Sequence, residues 1–292
     1  MDKIEVYYLL NEQLKSIGIY SDVLDKKLKA ITNNPKLFGI FMLAALGKNM
    51  EFFNFNKKIA SLSELLQRYA PSASFERCKR SAIMNLWILG REPEKIIENC
   101  ENAAAYLKRY IPDMTTTAYI KKALHGNARM FTTSGELTEE RAEQIAEITL
   151  PHIAGFTAER FIQNMANYNP GALTKTSDEI MKRADEFVGN FAPHFTKTEF
   201  FDAGMNGNSA IITKPINRML YNLQTVTEHF GFDLPEYTEA AKEHNLFVFT
   251  NEAKATIGVM EKIGVEGNTL PEILFKARNF YKYKTSNEVN AR

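Results

Sequence analysis

The chain contains few cysteine residues for its length. It has 292 residues and only 2 Cys, Cys78 and Cys100. Two cysteines cannot form a disulfide framework for a chain of this size, which argues against a secreted disulfide-rich protein and favours a reducing compartment. Both fall in segments with helical spacing, so we expect buried core residues rather than a redox pair. We therefore predict a cytoplasmic location.

A long apolar run and a secretory start are also missing. The longest apolar stretch, Leu37 to Leu46, has ten residues, whereas a membrane-spanning helix needs about 20. The first residues alternate in charge and lack the basic and then apolar layout of a signal peptide. We expect a soluble protein with no membrane partner, in which residues 37–46 form a buried core helix.

Neither sign of charge dominates the whole chain, which has 36 Lys and Arg against 35 Asp and Glu. The distribution is uneven, because residues 1–110 hold 17 cations and 12 anions, residues 111–250 hold 12 and 18, and residues 251–292 hold 7 and 5. Such an asymmetry can steer a charged partner, or can arise when two halves of one protein face each other. Charged and apolar fractions close to those of globular proteins argue against disorder.

Linear motifs for several common chemistries are absent. Neither GxxxxGK[ST] nor GxGxxG occurs, so no glycine-rich phosphate loop is indicated. The metal-binding patterns HExxH, ExxH and CxxC are missing, and the five histidines are scattered. The nucleophile motif GxSxG is missing too. We therefore predict no cofactor and no metal site.

Helix signals recur along the chain, and they predict a mainly α fold. A capping residue or a proline at the first helical position marks each start, and glycine or proline marks the ends. The clearest apolar stripe runs from Ile216 to Phe230. We expect roughly ten to twelve helices in orthogonal or bundle-like packing. Starts are indicated at Asn34-Pro35, Ser61 with Glu64, Ser74, Glu92-Pro93, Thr138, Thr157 and Thr176 with Glu179.

Strand signals are limited to two short segments, 210–213 and 246–250, which are rich in apolar or β-branched residues. They allow one short two-stranded β-ribbon. No repeat of roughly 20 to 50 residues emerges when segments are laid over one another, so a repeat fold has no support. A stretch rich in threonine around Pro112 predicts a boundary between a net basic region, 1–112, and a net acidic region with a basic aromatic tail, 113–292. The sequence is also compatible with a single domain over the whole chain.

The strongest binding pattern lies near the C-terminus, where cations alternate with aromatic residues. This pattern suits phosphate contacts combined with base stacking. Alternatively, the lysines complement a helix dipole and the aromatic rings pack into the core. Arg77, Lys79 and Arg80, with Lys57 and Lys58, extend a basic surface in the N-terminal half. The predicted nucleic-acid-binding residues are Lys276, Arg278, Tyr281, Lys282, Tyr283 and Lys284, next to Phe275 and Phe280.

Two weaker patterns concern anion binding and catalysis. A glycine-rich loop at 204–209 is followed by Lys214 and Arg218, which together indicate an anion site. His125 and Arg129 flank the tripeptide Gly126-Asn127-Ala128, and this combination supplies a proton carrier beside an anion-stabilising group. His125-Gly126 also reads as an ordinary helix C-terminus, which is the simpler interpretation.

The sequence therefore favours a helical protein that binds a macromolecule, either protein or nucleic acid. The alternatives are a helical enzyme whose pocket uses His125, Arg129 or other histidines, and a structural subunit of a larger assembly. A homo-oligomer is compatible with all three. The preference for binding rests on missing catalytic motifs, and active sites are commonly assembled from residues distant in sequence.

Overall fold

A computed structural model describes residues 3–20 and 22–290, without the side chains of 281–290. Within these residues the regular structure is helical, with fifteen α-helices and no strand. The helices are α1 (Lys3–Ser16), α2 (Asp22–Thr32), α3 (Pro35–Leu46), α4 (Phe55–Gln67), α5 (Phe75–Met84), α6 (Pro93–Leu107), α7 (Thr116–His125), α8 (Gly135–Thr149), α9 (Ala158–Tyr168), α10 (Ser177–Phe191), α11 (Lys197–Asp202), α12 (Ile216–Phe230), α13 (Leu234–His244), α14 (Ala253–Ile263) and α15 (Leu270–Asn290).

The chain divides into two compact units, Met1–Glu140 and Arg141–Arg292. Pro112, where the sequence indicates a boundary, lies in the connection between α6 and α7 inside the first unit. The mainly α prediction is confirmed, although the described residues form fifteen α-helices where ten to twelve were expected.

From α5 onward the chain contains helix-pair repeats, which the sequence analysis missed. A helix of 6 to 11 residues is followed by an asparagine, a 3-10 turn and a second helix of 11 to 15 residues, and the order then repeats. We call the asparagines at this position the ladder asparagines, and successive ones are 42, 42, 39 and 37 residues apart. Because the interval varies, superposing segments at one fixed period does not align them. The ladder asparagines are Asn85, Asn127, Asn169, Asn208 and Asn245.

The side chains of Asn85, Asn169 and Asn208 each join their own repeat to the next one. The Nδ2 atom of Asn208 donates to the Leu246 carbonyl (3.0 Å) and to Thr250 Oγ1 (2.7 Å), while its Oδ1 accepts from the Ala210 N–H (3.2 Å). These partners lie one and five residues after the next ladder asparagine. The same offsets recur for Asn85 with Ala128 (3.0 Å) and Thr132 (2.9 Å), and for Asn169 with Ser209 (2.6 Å) and Thr213 (3.0 Å).

The short helices of the repeats also share their start and their inward side chain. Each begins after a Ser, Thr or Asp whose side chain accepts from the third following N–H, as Thr115 does from Ala118. Four residues after this cap stands a side chain that is at most 1% exposed. These inward residues are Cys78, Tyr119, Phe161, Phe200 and Tyr237.

The suggested β-ribbon is wrong. Its two segments form the 3-10 turns Ser209–Ile212 and Leu246–Phe249. They are neighbours, as the ribbon required, but the side chain of Asn208 joins them in place of a backbone ladder. Because an asparagine caps each turn at its start, the first N–H groups are drawn into a tight turn rather than an extended strand.

Local helix starts were predicted with mixed success. The caps at Asn34, Ser74, Thr157 and Thr176 are confirmed, and Thr176 forms the expected capping box with Glu179. The predicted starts at Ser61 and Thr138 are wrong, since α4 begins at Phe55 and α8 at Gly135. The stretch 37–46 forms α3 as expected but is not fully buried, because Leu43 is 71% exposed and Leu46 is 61% exposed.

Candidate nucleic-acid interface

The predicted nucleic-acid-binding segment begins in α15. Ile273, Leu274 and Ala277 form the buried side of this helix. Phe275 and Phe280 do not join them, because they are 56% and 49% exposed. The alternative that these two rings pack into the core is therefore wrong, and they are available to a partner.

Two predicted cations of α15 lie in the described part of the chain. Lys276 is exposed, and its Nζ donates to Asn268 Oδ1 at 2.6 Å. Arg278 is half-buried and forms no ion pair with a described residue. The structure therefore places one exposed cation on the same helix as the two exposed rings. The side chains of Tyr281, Lys282, Tyr283 and Lys284 lie outside the described residues.

His125 ends α7 and contacts the preceding repeat. The helix stops at His125 with Gly126 as its C-cap, as the simpler sequence interpretation predicts, but Gly126 has φ −106° and is not in the left-handed conformation expected of such a glycine. The imidazole is exposed, with Nδ1 against a guanidinium nitrogen of Arg77 and Nε2 at 3.2 Å from Ser72 Oγ. A contact between residues 48 positions apart follows from the stacking of successive short helices.

The Arg77 contact indicates which nitrogen of His125 accepts a hydrogen bond. A guanidinium is only a donor, so we assign Nδ1 as the acceptor from Arg77 and place a hydrogen on Nε2. The N–H at Nε2 then donates to Ser72 Oγ. In this arrangement the imidazole cannot remove the Ser72 proton, which is the step that a serine nucleophile requires. The geometry supplies positive charge and hydrogen-bond donors rather than a general base.

Arg129, the other catalytic candidate, lies in the 3-10 turn after Asn127. Its side chain is exposed, and its backbone N–H donates to Asn127 Oδ1 at 3.1 Å. Its carbonyl accepts from Thr133 Oγ1 at 2.9 Å. The described contacts of Arg129 are those of a turn residue, so catalysis by the His125 and Arg129 pair stays a prediction.

Of the two lysines at 57–58 that were expected to extend a basic surface, only Lys57 is exposed. Lys57 is exposed and pairs with Glu51, but Lys58 is buried, with Nζ donating to the Leu89 carbonyl at 3.0 Å. The same atom lies 3.6 Å from the centroid of the Phe52 ring. Burial lowers the pKa of Lys58 to about 8, so this amine is part of the packing of the first unit.

Lys214 and Arg218, the candidate anion site, lie close together at the start of α12. Lys214 is half-buried and burial lowers its pKa, with a further lowering from the charge of Arg218. Arg218 is already paired with Glu252. An anion arriving here would compete with that carboxylate, so the site stays a prediction without added support.

The histidines of the second unit are held by local partners. His152 stacks on the Phe201 ring, and its Nδ1 lies 3.0 Å from Thr198 Oγ1. His194 Nδ1 lies 2.8 Å from Glu239 Oε2. Across the residues that the structure describes, no three His, Cys, Asp or Glu side chains are grouped to hold a metal ion. In the same residues no helix has the length and apolar character to cross a membrane.

Sequence reasoning missed the relation between the short helices. Arg77 and His125 stand in segments that are unrelated until the repeat is recognised, and only then do α5 and α7 become neighbours. The signal was a Ser, Thr or Asp cap followed eleven or twelve residues later by asparagine. Comparison of the chain with known protein families, with curated proteins and with solved structures gives no match.

Proposed function

We propose that this protein binds a single-stranded nucleic acid, with α15 as one contact surface. The main observation that supports this proposal is that Phe275 and Phe280 are half exposed on a helix that also exposes Lys276. Aromatic rings stack on bases with about 1–3 kcal/mol per base, and lysine contacts the phosphates. A duplex hides the faces of its bases, so exposed rings favour a single strand.

The repeat architecture supports binding as the activity. Repeats of helix pairs contact their neighbours and present equivalent surface positions at regular intervals, which suits an extended partner. The packing of such a repeat uses its inward residues and its ladder asparagine. The outward positions are left free to carry charge or aromatic rings.

The test is a titration of the full chain with a fluorescently labelled single-stranded RNA, followed by anisotropy at about 50 mM and 200 mM salt. Replacing Lys276, Arg278, Lys282 and Lys284 by Gln is expected to weaken binding at least about tenfold at the lower salt. Phe275→Ala with Phe280→Ala is expected to weaken it at both salts, because stacking is screened less than charge attraction.

Matched controls exist in the same unit. Lys254→Gln with Lys262→Gln removes exposed cations from α14, and Tyr221→Ala removes a ring that is 64% exposed on α12. Both controls should bind like the wild type. The proposal fails if the wild type does not bind RNA, or if the α15 variants bind as tightly as the controls.

A second candidate function is that of a structural subunit, favoured by exposed apolar side chains on α3 and the 3-10 turn after it. Leu43 and Leu46 on α3 are 71% and 61% exposed, Met50 in the turn is 50% exposed, and such apolar surface commonly marks a protein contact. Mass measured by light scattering over a concentration series would show association that Leu43→Glu removes. Tyr20→Glu, at a residue 67% exposed, is the control. A strict monomer at all concentrations would contradict self-assembly.

A further inference from the structure

Four side chains of the first unit form a row across the boundary between two repeats. They are Lys121 and His125 on α7, and Arg77 and Arg80 on α5. We call them the cationic row. The helices α5 and α7 are the short helices of successive repeats and pack against each other. None of the sequence patterns for binding placed these four residues together.

Neighbouring residues of the cationic row either lie one helical turn apart on the same helix or contact each other directly. Lys121 precedes His125 by four residues, and Arg77 precedes Arg80 by three, so each pair shares a side of its helix, with Cβ atoms about 5–6 Å apart. The middle link is the contact of the Arg77 guanidinium with His125 Nδ1. The row is therefore continuous from α7 to α5.

The positive charge of the row is not neutralised within the described chain. Arg80 and Lys121 are exposed and form no ion pair with any described residue. Glu76, the carboxylate of α5, is paired with Lys79 at 2.8 Å. His125 accepts from Arg77 through a neutral ring nitrogen and so leaves the guanidinium charge uncompensated. No described carboxylate forms an ion pair with Lys121, Arg77 or Arg80.

We propose that the cationic row binds the phosphate backbone of a single-stranded nucleic acid. This inference rests on the proposed function and adds a contact surface in the first unit. Arginine presents several N–H donors in a plane that matches two phosphate oxygens, and lysine adds a point charge. Contacts of this kind hold the strand without reading its bases. The row therefore predicts affinity that depends strongly on salt and weakly on sequence.

The test compares Arg80→Gln with Lys121→Gln against a charge-matched control in the same unit. Lys26→Gln with Lys29→Gln removes two exposed cations from α2. With labelled single-stranded RNA as the probe, the row variant should bind about tenfold more weakly at 50 mM salt. The slope of log affinity against log salt should shrink by about 1.4, since each lost phosphate contact on a single strand accounts for about 0.7.

The control should bind within about twofold of the wild type, as should Arg80→Lys with Lys121→Arg, which keeps both charges. Unchanged circular dichroism would confirm that the exposed substitutions leave the fold intact. Competition with polyglutamate distinguishes a nucleic-acid site from a site for any acidic polymer. If polyglutamate displaces labelled RNA from the wild type as effectively as unlabelled RNA does, the cationic row is a general acidic-polymer site and the proposal is overturned.

The outcomes separate this inference from the proposed function. If the α15 variant loses affinity while the row variant binds with wild-type affinity and salt slope, the row is overturned and α15 stands. If the row variant loses affinity and the α15 variant does not, the row stands and the α15 assignment fails. If the wild type does not bind RNA at all, both are overturned.

Discussion

In the first unit, the sixth residue after the cap of each short helix is a cation, Arg80 on α5 and Lys121 on α7. In the second unit, α11 and α13 carry Asp202 and Glu239 at the same position. Two residues earlier, the inward position is buried in both units whatever its identity. The difference teaches that packing constrains the inward position and the ladder asparagine, while the outward position is free to set the charge that a partner meets.

The largest effect should come from removing a ladder asparagine, which tests whether both units depend on the same framework. Asn208→Ala and Asn85→Ala each leave a buried carbonyl, a threonine hydroxyl and a capped N–H without their partner. We expect each to lower the free energy of unfolding by about 2–4 kcal/mol, measured by urea unfolding followed by circular dichroism.

Asn217→Ala, at an exposed position on α12, should change the free energy of unfolding by less than about 0.5 kcal/mol. A large loss for one ladder variant together with a negligible loss for the other would contradict a shared framework.

An intermediate effect concerns the buried amine of the first unit. The pKa of Lys58 falls from 10.5 to about 8 on folding, so between these pH values the unfolded chain holds more protons at this side chain than the folded one. The contribution of Lys58 to the free energy of unfolding therefore rises with pH across that window, by about 3 kcal/mol at most. Lys58→Met should remove this dependence, and urea unfolding at several pH values would measure it.

Lys57→Met changes the exposed neighbour and should leave the pH dependence as in the wild type. Identical pH profiles for the two variants would show that Lys58 is not desolvated.

The smallest effect concerns an ion pair between α11 and α13 of the second unit. Lys242, at 2.7 Å, and the Thr196 N–H and hydroxyl lower the pKa of Glu199 from 4.5 to about 2. Stability from this group is present above about pH 4.5 and is lost as the pH falls towards 2. Because the pair is partly exposed, we expect less than about 1 kcal/mol, measured as the difference in unfolding free energy between wild type and Glu199→Gln.

Glu228→Gln, on an exposed position of α12, is the control. A difference between wild type and Glu199→Gln that stays constant from pH 6 to pH 2 would refute the assignment. Lys58 and Glu199 thus give the two units pH dependences in separate windows, one alkaline and one acidic.

Short-range features of the fold were predictable because their causes are short-range. Thr176 and Glu179 satisfy each other's backbone groups within one turn, and Asn34 with Pro35 starts α3 by itself. The mainly α fold follows from such signals. The Asn208 bonds to Leu246 and Thr250 span about forty residues at an irregular interval, so no local pattern reveals them.

The candidate surfaces were also predictable only where their causes are local in the sequence. Cations beside aromatic residues in α15 are visible in the sequence, but the exposure of Phe275 and Phe280 depends on what packs against the helix. The burial of Lys58 is likewise set by Phe52 and Leu89. The link between Arg77 and His125 requires knowing that α5 and α7 are neighbours.

The ladder asparagines give the repeats a direction. Asn208 is synthesised before the Leu246 carbonyl and the Thr250 hydroxyl that receive its amide protons. A nascent chain that ends between them lacks both acceptors of the Asn208 amide, so the contacts of that repeat are incomplete. A repeat of this kind therefore forms its full set of hydrogen bonds only with the following repeat. During translation, the most recently made repeat lacks these bonds until the next one emerges.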